Sequence, residues 1–311
     1  MVSEKKLLTI IIPTYNRSKL LDVSLRQMNE LRKMFLFDLI VCNNASTDDT
    51  SHVLRMWEKH ITNFRVVNHK ENIFYDRNVA SGYMLVETDY CWVLGDSNII
   101  EIQDMKKVMA MLEYQKPQAL IINDSWDSIK NMDCVYTDAN SLLHDLGWYT
   151  TLLCSCIIHK DFLSKERCER YYDSGFIHEG VFYDYLAFLE KVEVYLLPSV
   201  HIKPILMDKS GTSWRKTPFL VFGKKWYAFI MSLPYKYSLE NKLYCIKQHE
   251  AHRHIFSPRL LLKNKWFGYT SFSDYDNARF VLKYVFRYPL FITDIISKIP
   301  SLGRFKGNKT V

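Results

Sequence analysis

Short apolar runs alternate with amphipathic stretches through the first 125 residues. The runs Leu7–Pro13, Phe37–Cys42, Phe64–Asn68, Tyr90–Leu94 and Ala119–Asn123 are rich in Val, Ile, Leu and aromatic residues and carry almost no charge. Such runs predict parallel strands buried on both faces. Between the first two, Leu20, Leu21, Leu25, Met28 and Leu31 recur at three- and four-residue spacing, the period of one helix face. Ser18 is placed to cap that helix, and Ser46 or Asp48 the next. Alternating strands and helices predict βαβ units with right-handed crossovers, and hence a doubly wound, mostly parallel α/β sheet. Residues 125–200 read as mixed strands and loops with a helix over Gly180–Lys191, and a helix is expected over Ile100–Met111. Beyond 218 the pattern turns helical, ending in an amphipathic pair over Ala278–Ile299 that Pro289 interrupts. That pair is suited either to lying on a membrane surface or to packing with a solvated basic face. The expected division is a domain over 1–217 and a helical extension over 218–311.

Ligands of doubly wound sheets bind outside the carboxyl ends of the strands. Here those ends carry Thr14-Tyr15-Asn16, Asn43-Asn44-Ala45-Ser46 and Gly95-Asp96-Ser97-Asn98, all small and polar, as a nucleotide pocket requires. The two common glycine-rich phosphate cradles, G-x-G-x-x-G and G-x-x-x-x-G-K-[ST], do not occur. Phosphate charge must then be met by side chains or a metal, which directs attention to Asp96 at the end of its strand.

Composition and charge change the picture in two places. Residues 201–311 hold 20 Lys and Arg against 6 Asp and Glu, a net charge of +14, whereas residues 1–200 come to −7. A basic segment joined to an acidic domain implies a polyanionic partner, either an anionic membrane surface or nucleic acid. Seven cysteines without C-x-x-C spacing imply reduced thiols and a cytoplasmic setting. The apolar run near the N-terminus is short and ends in Pro13, so it reads as a strand and not as a signal peptide. No run of 18 apolar residues predicts a spanning helix. His249, His252 and His254 match no zinc spacing and are expected on an exposed basic face.

In TIIIPTYNR (Thr9–Arg17), VCNNASTDDT (Val41–Thr50), ENIFYDRNVASGY (Glu71–Tyr83) and CWVLGDSNII (Cys91–Ile100) the chain resembles family 2 glycosyltransferases of the GT-A fold. Four motifs in order cover about the first 125 residues. A looser likeness over Gly211–Ser238 is to abequosyltransferase-type enzymes of O-antigen synthesis. The resemblance implies an inverting transfer from a nucleotide-sugar donor, with a carboxylate as general base and positive charge, usually Mg²⁺ or Mn²⁺, at the leaving diphosphate.

The same resemblance assigns residues. Pro13, Tyr15, Asn44, Arg77, Asp96 and Ser97 fall at donor-binding positions, Tyr15 and Asn44 at the base and Arg77 near the phosphates. Asn44 replaces the usual base-reading Asp; an amide both accepts and donates, which admits cytosine besides uracil or thymine. Asp96 and Asn98 are the metal candidates. The acidic cluster is thin there, because Ser97 stands where the family carries its metal-binding Asp, and Asp96 remains the one carboxylate. Glu179 is the candidate base, with Asp184 one turn on as the second choice. His178, Trp214 and Arg215 are candidates on the acceptor side.

The expected activity is sugar transfer onto a hydroxyl of a bacterial surface polysaccharide or its lipid-linked precursor, by a cytoplasmic protein peripheral to the inner face of the cell membrane. Nucleic acid is not an expected partner, since it would explain the charge but not the four strand-end motifs. The alternative is a catalytically silent binding subunit of a polysaccharide-assembly complex.

Overall fold

The computed structural model describes residues 6–124, 129, 133–206, 216–286 and 289–300. They fall into two compact units, one of Met1–Ala139 with Thr150–Met207, the other of Asn140–Tyr149 with Asp208–Val311.

The first unit is built on a nine-stranded sheet. Its first half runs β1 (Leu8–Thr14), α1 (Ser18–Arg32), β2 (Phe37–Asn43), α2 (Thr50–Glu58), β3 (Phe64–Asn68), α3 (Phe74–Tyr83) and β4 (Tyr90–Val93). The four strands lie in the order β3-β2-β1-β4, all parallel. These are four of the apolar runs, and their two faces are covered by different helices. Ile10, Ile12, Leu39, Val41 and Trp92 share one buried cluster with Leu21, Leu25 and Met28 of α1. Ile11 and Cys42 face α3 on the other side, where Gly82 brings the helix backbone against them.

The second half is mixed. It comprises β5 (Asn98–Ile100), α4 (Ile102–Tyr114), β6 (Ala119–Asp124), β7 (Cys134–Tyr136), β8 (Cys156–His159), α6 (Lys165–Arg170), α7 (Ile177–Phe188) and β9 (Val194–Pro204), with α5 (Ala139–Leu146) leading out of the unit. β8 is antiparallel to β4 and β6, β6 is parallel to β9, and β5 and β7 run antiparallel against β9. Two element boundaries differ from the expected ones. The helix read over Ile100–Met111 starts at Ile102 because Asn98–Ile100 is drawn into the sheet by β9. The helix read from Gly180 begins at Ile177, which puts Glu179 in its first turn.

Ser18 does not cap α1. Its amide instead donates to Asp48 Oδ2 at 2.9 Å, while Asp48 Oδ1 accepts from the Thr50 amide (3.1 Å) and hydroxyl (2.6 Å). One carboxylate thus serves the unpaired amides of two helix N-termini. Burial raises its pKa, but the bonds from Thr50 and Ser18 outweigh that and hold it below the usual carboxylate range.

The second unit is helical: a wide π-type turn over Phe219–Lys225 runs into α8 (Trp226–Ser232), followed by α9 (Leu239–Arg253), α10 (Pro258–Trp266), α11 (Phe272–Val285) and α12 (Leu290–Lys298). Helix ends are closed by side chains, as buried backbone groups require. Ser271 and Asp274 form a reciprocal capping box, Lys242 Nζ donates to Leu233 O beyond α8, and Lys265 Nζ donates to Ser297 O in α12 at 2.6 Å. Of the three histidines expected on an exposed face, His252 and His254 are exposed but His249 is buried. It stacks on Phe222 at 4.5 Å between ring centroids, because it continues the inward stripe of Cys245 and Ile246. Burial drives its pKa well below 6.5, so it sits there neutral.

A Cβ on Gly82 would lie 2.6 Å from Ile11 Cγ2 and 3.0 Å from Cys42 Sγ. Gly82→Ala is expected to cost about 1–3 kcal/mol through overpacking, more than the helix propensity it gains. The check is the urea-unfolding midpoint at unchanged slope.

Candidate active site

Three strand ends meet at one edge of the sheet. The Asn44 amide donates to Thr14 O at 3.0 Å, and the Leu94 amide to Ile11 O at 2.8 Å. Thr14 Oγ1 then donates to Asp96 Oδ2 and Arg17 Nη1 to Asp96 Oδ1, each at 2.9 Å. Asp96 is buried at the end of this chain of contacts. Burial raises its pKa, opposed by the charge and hydrogen bond of Arg17 and the hydroxyl of Thr14. A buried carboxylate is tolerated only with such partners.

The neighbouring loops are turned by left-handed residues, Asn16 at φ 54° and Ala45 at φ 56°. They are also tied crosswise: Asn16 N–H donates to Ser46 Oγ (2.9 Å), and the Thr47 amide donates to Asn16 Oδ1 (2.7 Å). Between them Tyr15 stands exposed. Asn44 is buried; its Nδ2 donates to Asn72 Oδ1 and its Oδ1 accepts from the Ile73 amide, both at 2.9 Å. One N–H and one lone pair of that amide remain for another partner.

From Ile73 the chain enters α3, whose first turn leads to α7. The Tyr75 hydroxyl lies 2.9 Å from His178 Nδ1, and His178 Nε2 lies 3.3 Å from Thr151 O. A carbonyl only accepts, so the proton is on Nε2 and Tyr75 donates to Nδ1. Burial takes the imidazole down to about 4, so His178 is neutral and orients. Asp76 accepts from the Gly175 amide (2.8 Å) and the Ile177 amide (3.2 Å), closing the N-terminus of α7.

Glu179, one residue past His178, is 1% exposed. Its Oε1 accepts from Thr150 Oγ1 at 2.8 Å, and its Oε2 has no partner. Burial raises its pKa well above 4.5, with the Thr150 bond opposing. Burial thus favours the protonated carboxyl, and among the described residues its second oxygen has no hydrogen-bond partner. Asp184 has the opposite surroundings. Arg167 Nε (3.0 Å), Arg170 Nη1 and the Tyr171 hydroxyl (3.1 Å) all donate to it, so its lone pairs serve the joint between α6 and α7.

The remaining candidates divide by position. Arg77 is half-buried and grips Asp173 with both terminal nitrogens, at 2.6 and 3.1 Å, over the ring of Tyr172. Pro13, Ser97 and Asn98 are half-buried at the strand-end edge. Trp214 and Arg215 lie outside the described residues. Arg17 and Asp76 add to the sequence candidates, and Thr14, part of the first strand-end cluster, holds Asp96. Arg17 stands in the first quoted motif, and its spacing from a strand end facing a lone Asp was the available signal; nothing local marked Asp76 as the partner of amides 100 residues away.

Among the described residues no three His, Cys, Asp or Glu side chains form a metal-binding group. Asp96 with the neutral oxygens of Ser97 and Asn98 is too small a set for a six-coordinate cation on its own. It fits one that brings its other oxygens with it.

The fold is that of GT-A glycosyltransferases. Over 94% of this chain and 90% of the other it resembles S. aureus TarS 1–349, solved with UDP-GlcNAc (TM-score 0.57, 10% identity). Over 98% and 82% it resembles the mannosyltransferase PcManGT from Pyrobaculum calidifontis, solved with GDP-Man and Mn²⁺ (TM-score 0.54, 13% identity). Residues 9–147 match the family described as Glycosyl transferase family 2. A 113-residue stretch is 31% identical to abequosyltransferase RfbV of Salmonella typhimurium. That alignment spans 35% of this chain and 33% of the relative, about a third of its length.

Because Glu179 is held protonated, folding binds a proton that the unfolded carboxyl releases near its ordinary pKa. A raised folded pKa means stability is highest below about 4.5 and declines as pH rises above it. Glu250, raised by burial to about 8 despite bonds from the Phe256 and Ile255 amides, adds a decline of the same sign. Glu179→Gln is expected to remove the first part only. Wild type and variant should match in acid and diverge in the variant's favour above pH 5, as measured by urea unfolding across pH.

Proposed function

We propose that this protein is an inverting glycosyltransferase that moves one sugar from a nucleotide-sugar donor onto a hydroxyl of a bacterial surface polysaccharide or its lipid-linked precursor. The observation that carries the reading is the continuous set of contacts from Asp96, through Thr14, Asn44 and the Asn72–Tyr75 turn, to His178 beside Glu179. It joins a place for a diphosphate to a place for a base within one unit.

On the donor side, Tyr15 and the free N–H and lone pair of Asn44 meet the base, with Pro13 and Ser97 lining the edge. Arg17 supplies fixed positive charge next to Asp96, where the leaving diphosphate gathers negative charge. Asp96 and Asn98 would hold a Mg²⁺ or Mn²⁺ ion brought by the diphosphate, which would supply charge to neutralise the leaving group. Arg77, now paired with Asp173, reaches phosphate only by exchanging partners.

On the acceptor side, Glu179 Oε2 is free of hydrogen bonds among the described residues, and once its proton has passed to solvent it accepts from the incoming hydroxyl. A carboxyl of raised pKa is a stronger base once ionised, and Thr150 and His178 fix its position. Asp184 is held by two guanidinium groups and stays structural. The catalytic work belongs to the stretch ahead of residue 218. The basic stretch from 218 holds the protein at the inner face of the cell membrane, where lipid-linked acceptors are presented; the net charge of +14 over 201–311 supports this.

A thermal-shift panel of nucleoside diphosphates with and without Mn²⁺, followed by turnover of the corresponding sugar donors, tests the assignment. Metal alone should give no shift, and diphosphate with metal a clear one. Asp96→Ala and Arg17→Met should abolish that shift. Glu179→Gln should keep it yet lower transfer by about 10²–10⁴-fold. Nucleotide binding without turnover of any donor would assign the chain to the silent binding subunit, and no nucleotide binding would sink both readings.

A further inference from the structure

Two helices of the second unit are amphipathic the wrong way round. α12 turns Thr293 (1% exposed) and Ser297 (3%) inward with Ile296, while Phe291 (64%) and Ile295 (61%), with Ile299 just beyond the helix, point to solvent. These outward residues are spaced by four and make one continuous apolar stripe. α10 repeats the arrangement. Asn264 and Lys265 are buried beside Leu261, and the outward positions are Arg259, Leu262, Lys263 and Trp266, again one helix face. A helix of a soluble domain shows the reverse pattern.

The orientation is fixed from inside. Lys265 Nζ, buried in α10, donates to Ser297 O near the end of α12. Turning α12 to hide Phe291 and Ile295 would leave that ammonium without its carbonyl in a dry place, which is costly. The polar contact therefore dictates which face of α12 meets solvent, and the apolar face is left over. A contiguous exposed apolar face marks a contact surface.

We propose that the outward face of α10 and α12 lies in the headgroup region of an anionic bilayer. The proposal rests on the membrane placement given above and adds which residues make the contact. Charge decides the occupant. Arg259 and Lys263 are exposed among the apolar residues of α10, and that face carries no acidic residue. A second copy paired through this face would set those cations against themselves. Anionic headgroups would neutralise them, while the apolar stripe enters the acyl boundary and the long basic side chains reach up to the phosphates. Lys298 contributes nothing to this balance, being paired with Asp294 at 2.7 Å. No helix among the described residues is long and apolar enough to cross a membrane, so the contact is in-plane.

The test is co-sedimentation of the full chain with phosphatidylcholine vesicles, with and without phosphatidylglycerol. Wild type is expected to bind only the phosphatidylglycerol vesicles, less so in high salt. Phe291→Glu/Ile295→Glu, at two exposed positions, should weaken partitioning about tenfold or more at unchanged Tm. Phe291→Ser/Ile295→Ser should weaken it severalfold without adding charge, which keeps the test valid if the acidic pair unfolds. Failure of wild type to bind any vesicle would overturn the membrane placement and this face together. Undiminished binding by both variants would overturn the face alone. A wild-type dimer that Phe291→Glu/Ile295→Glu converts to monomer would assign the face to a second copy instead.

Discussion

The buried carboxylate of Asp96, shared between the Thr14 hydroxyl and the Arg17 guanidinium, is the interaction on which the candidate site depends. A charge in that position cannot be left unpaired, so the ends of β1 and β4 must stay within hydrogen-bond reach of each other. With β1 fixed, the Asn44 amide has its acceptor on Thr14, β2 falls into register, and the Asn44 side chain collects the loop that begins α3. Each step passes a positional constraint to the next element. An edge that might have been three independent loops is one connected polar surface.

A second constraint acts on α7. Its N-terminus is closed by Asp76 from α3, and its body is held against α6 by Asp184 with two arginines and Tyr171. Gly180 lets the Tyr171 ring lie directly on the helix, where a Cβ would come within 2.2 Å of the ring. Between these fixtures Glu179 is held by Thr150, and among the described residues its second oxygen has no partner. Asp184 and Glu179 are five residues apart and equally buried, yet one is saturated with cations and the other nearly bare. Environment separates their roles.

Much of this could be read from the residues in order. β1, β2, β4 and β6 are short, largely buried apolar runs that composition alone marks, β3 keeps Phe64, Val66 and Val67 beside an exposed Arg65, and the strand-end polar clusters follow from parallel topology. What could not be read is whatever depends on a partner far along the chain. β5 is three residues long and exists because β9 pairs with it, 100 residues later. Asp48 looked like a cap for one helix and serves two, since the Ser18 amide reaches it only after folding. His249 is a polar residue type, yet its spacing from Cys245 and Ile246 sets it on the inward stripe, where helix period outweighs polarity. Arg17 was visible but mute until Asp96 was set beside it.

The division of the chain has a practical corollary. The second unit takes in Asn140–Tyr149 as well as everything from Asp208 onward. Within it, Gly147 abuts Cys245, Asn140 bonds to Lys236 O, and Trp148 stacks on His252. A truncation that stops at residue 207 would strip those ten residues of their packing and leave Leu142, Leu143 and Tyr149 bare in the middle of the remaining polypeptide. The basic third is therefore no detachable appendage. Recombination that trades it for another sequence must trade the 140–149 insert in the same event, so the two stretches should be inherited as a matched set.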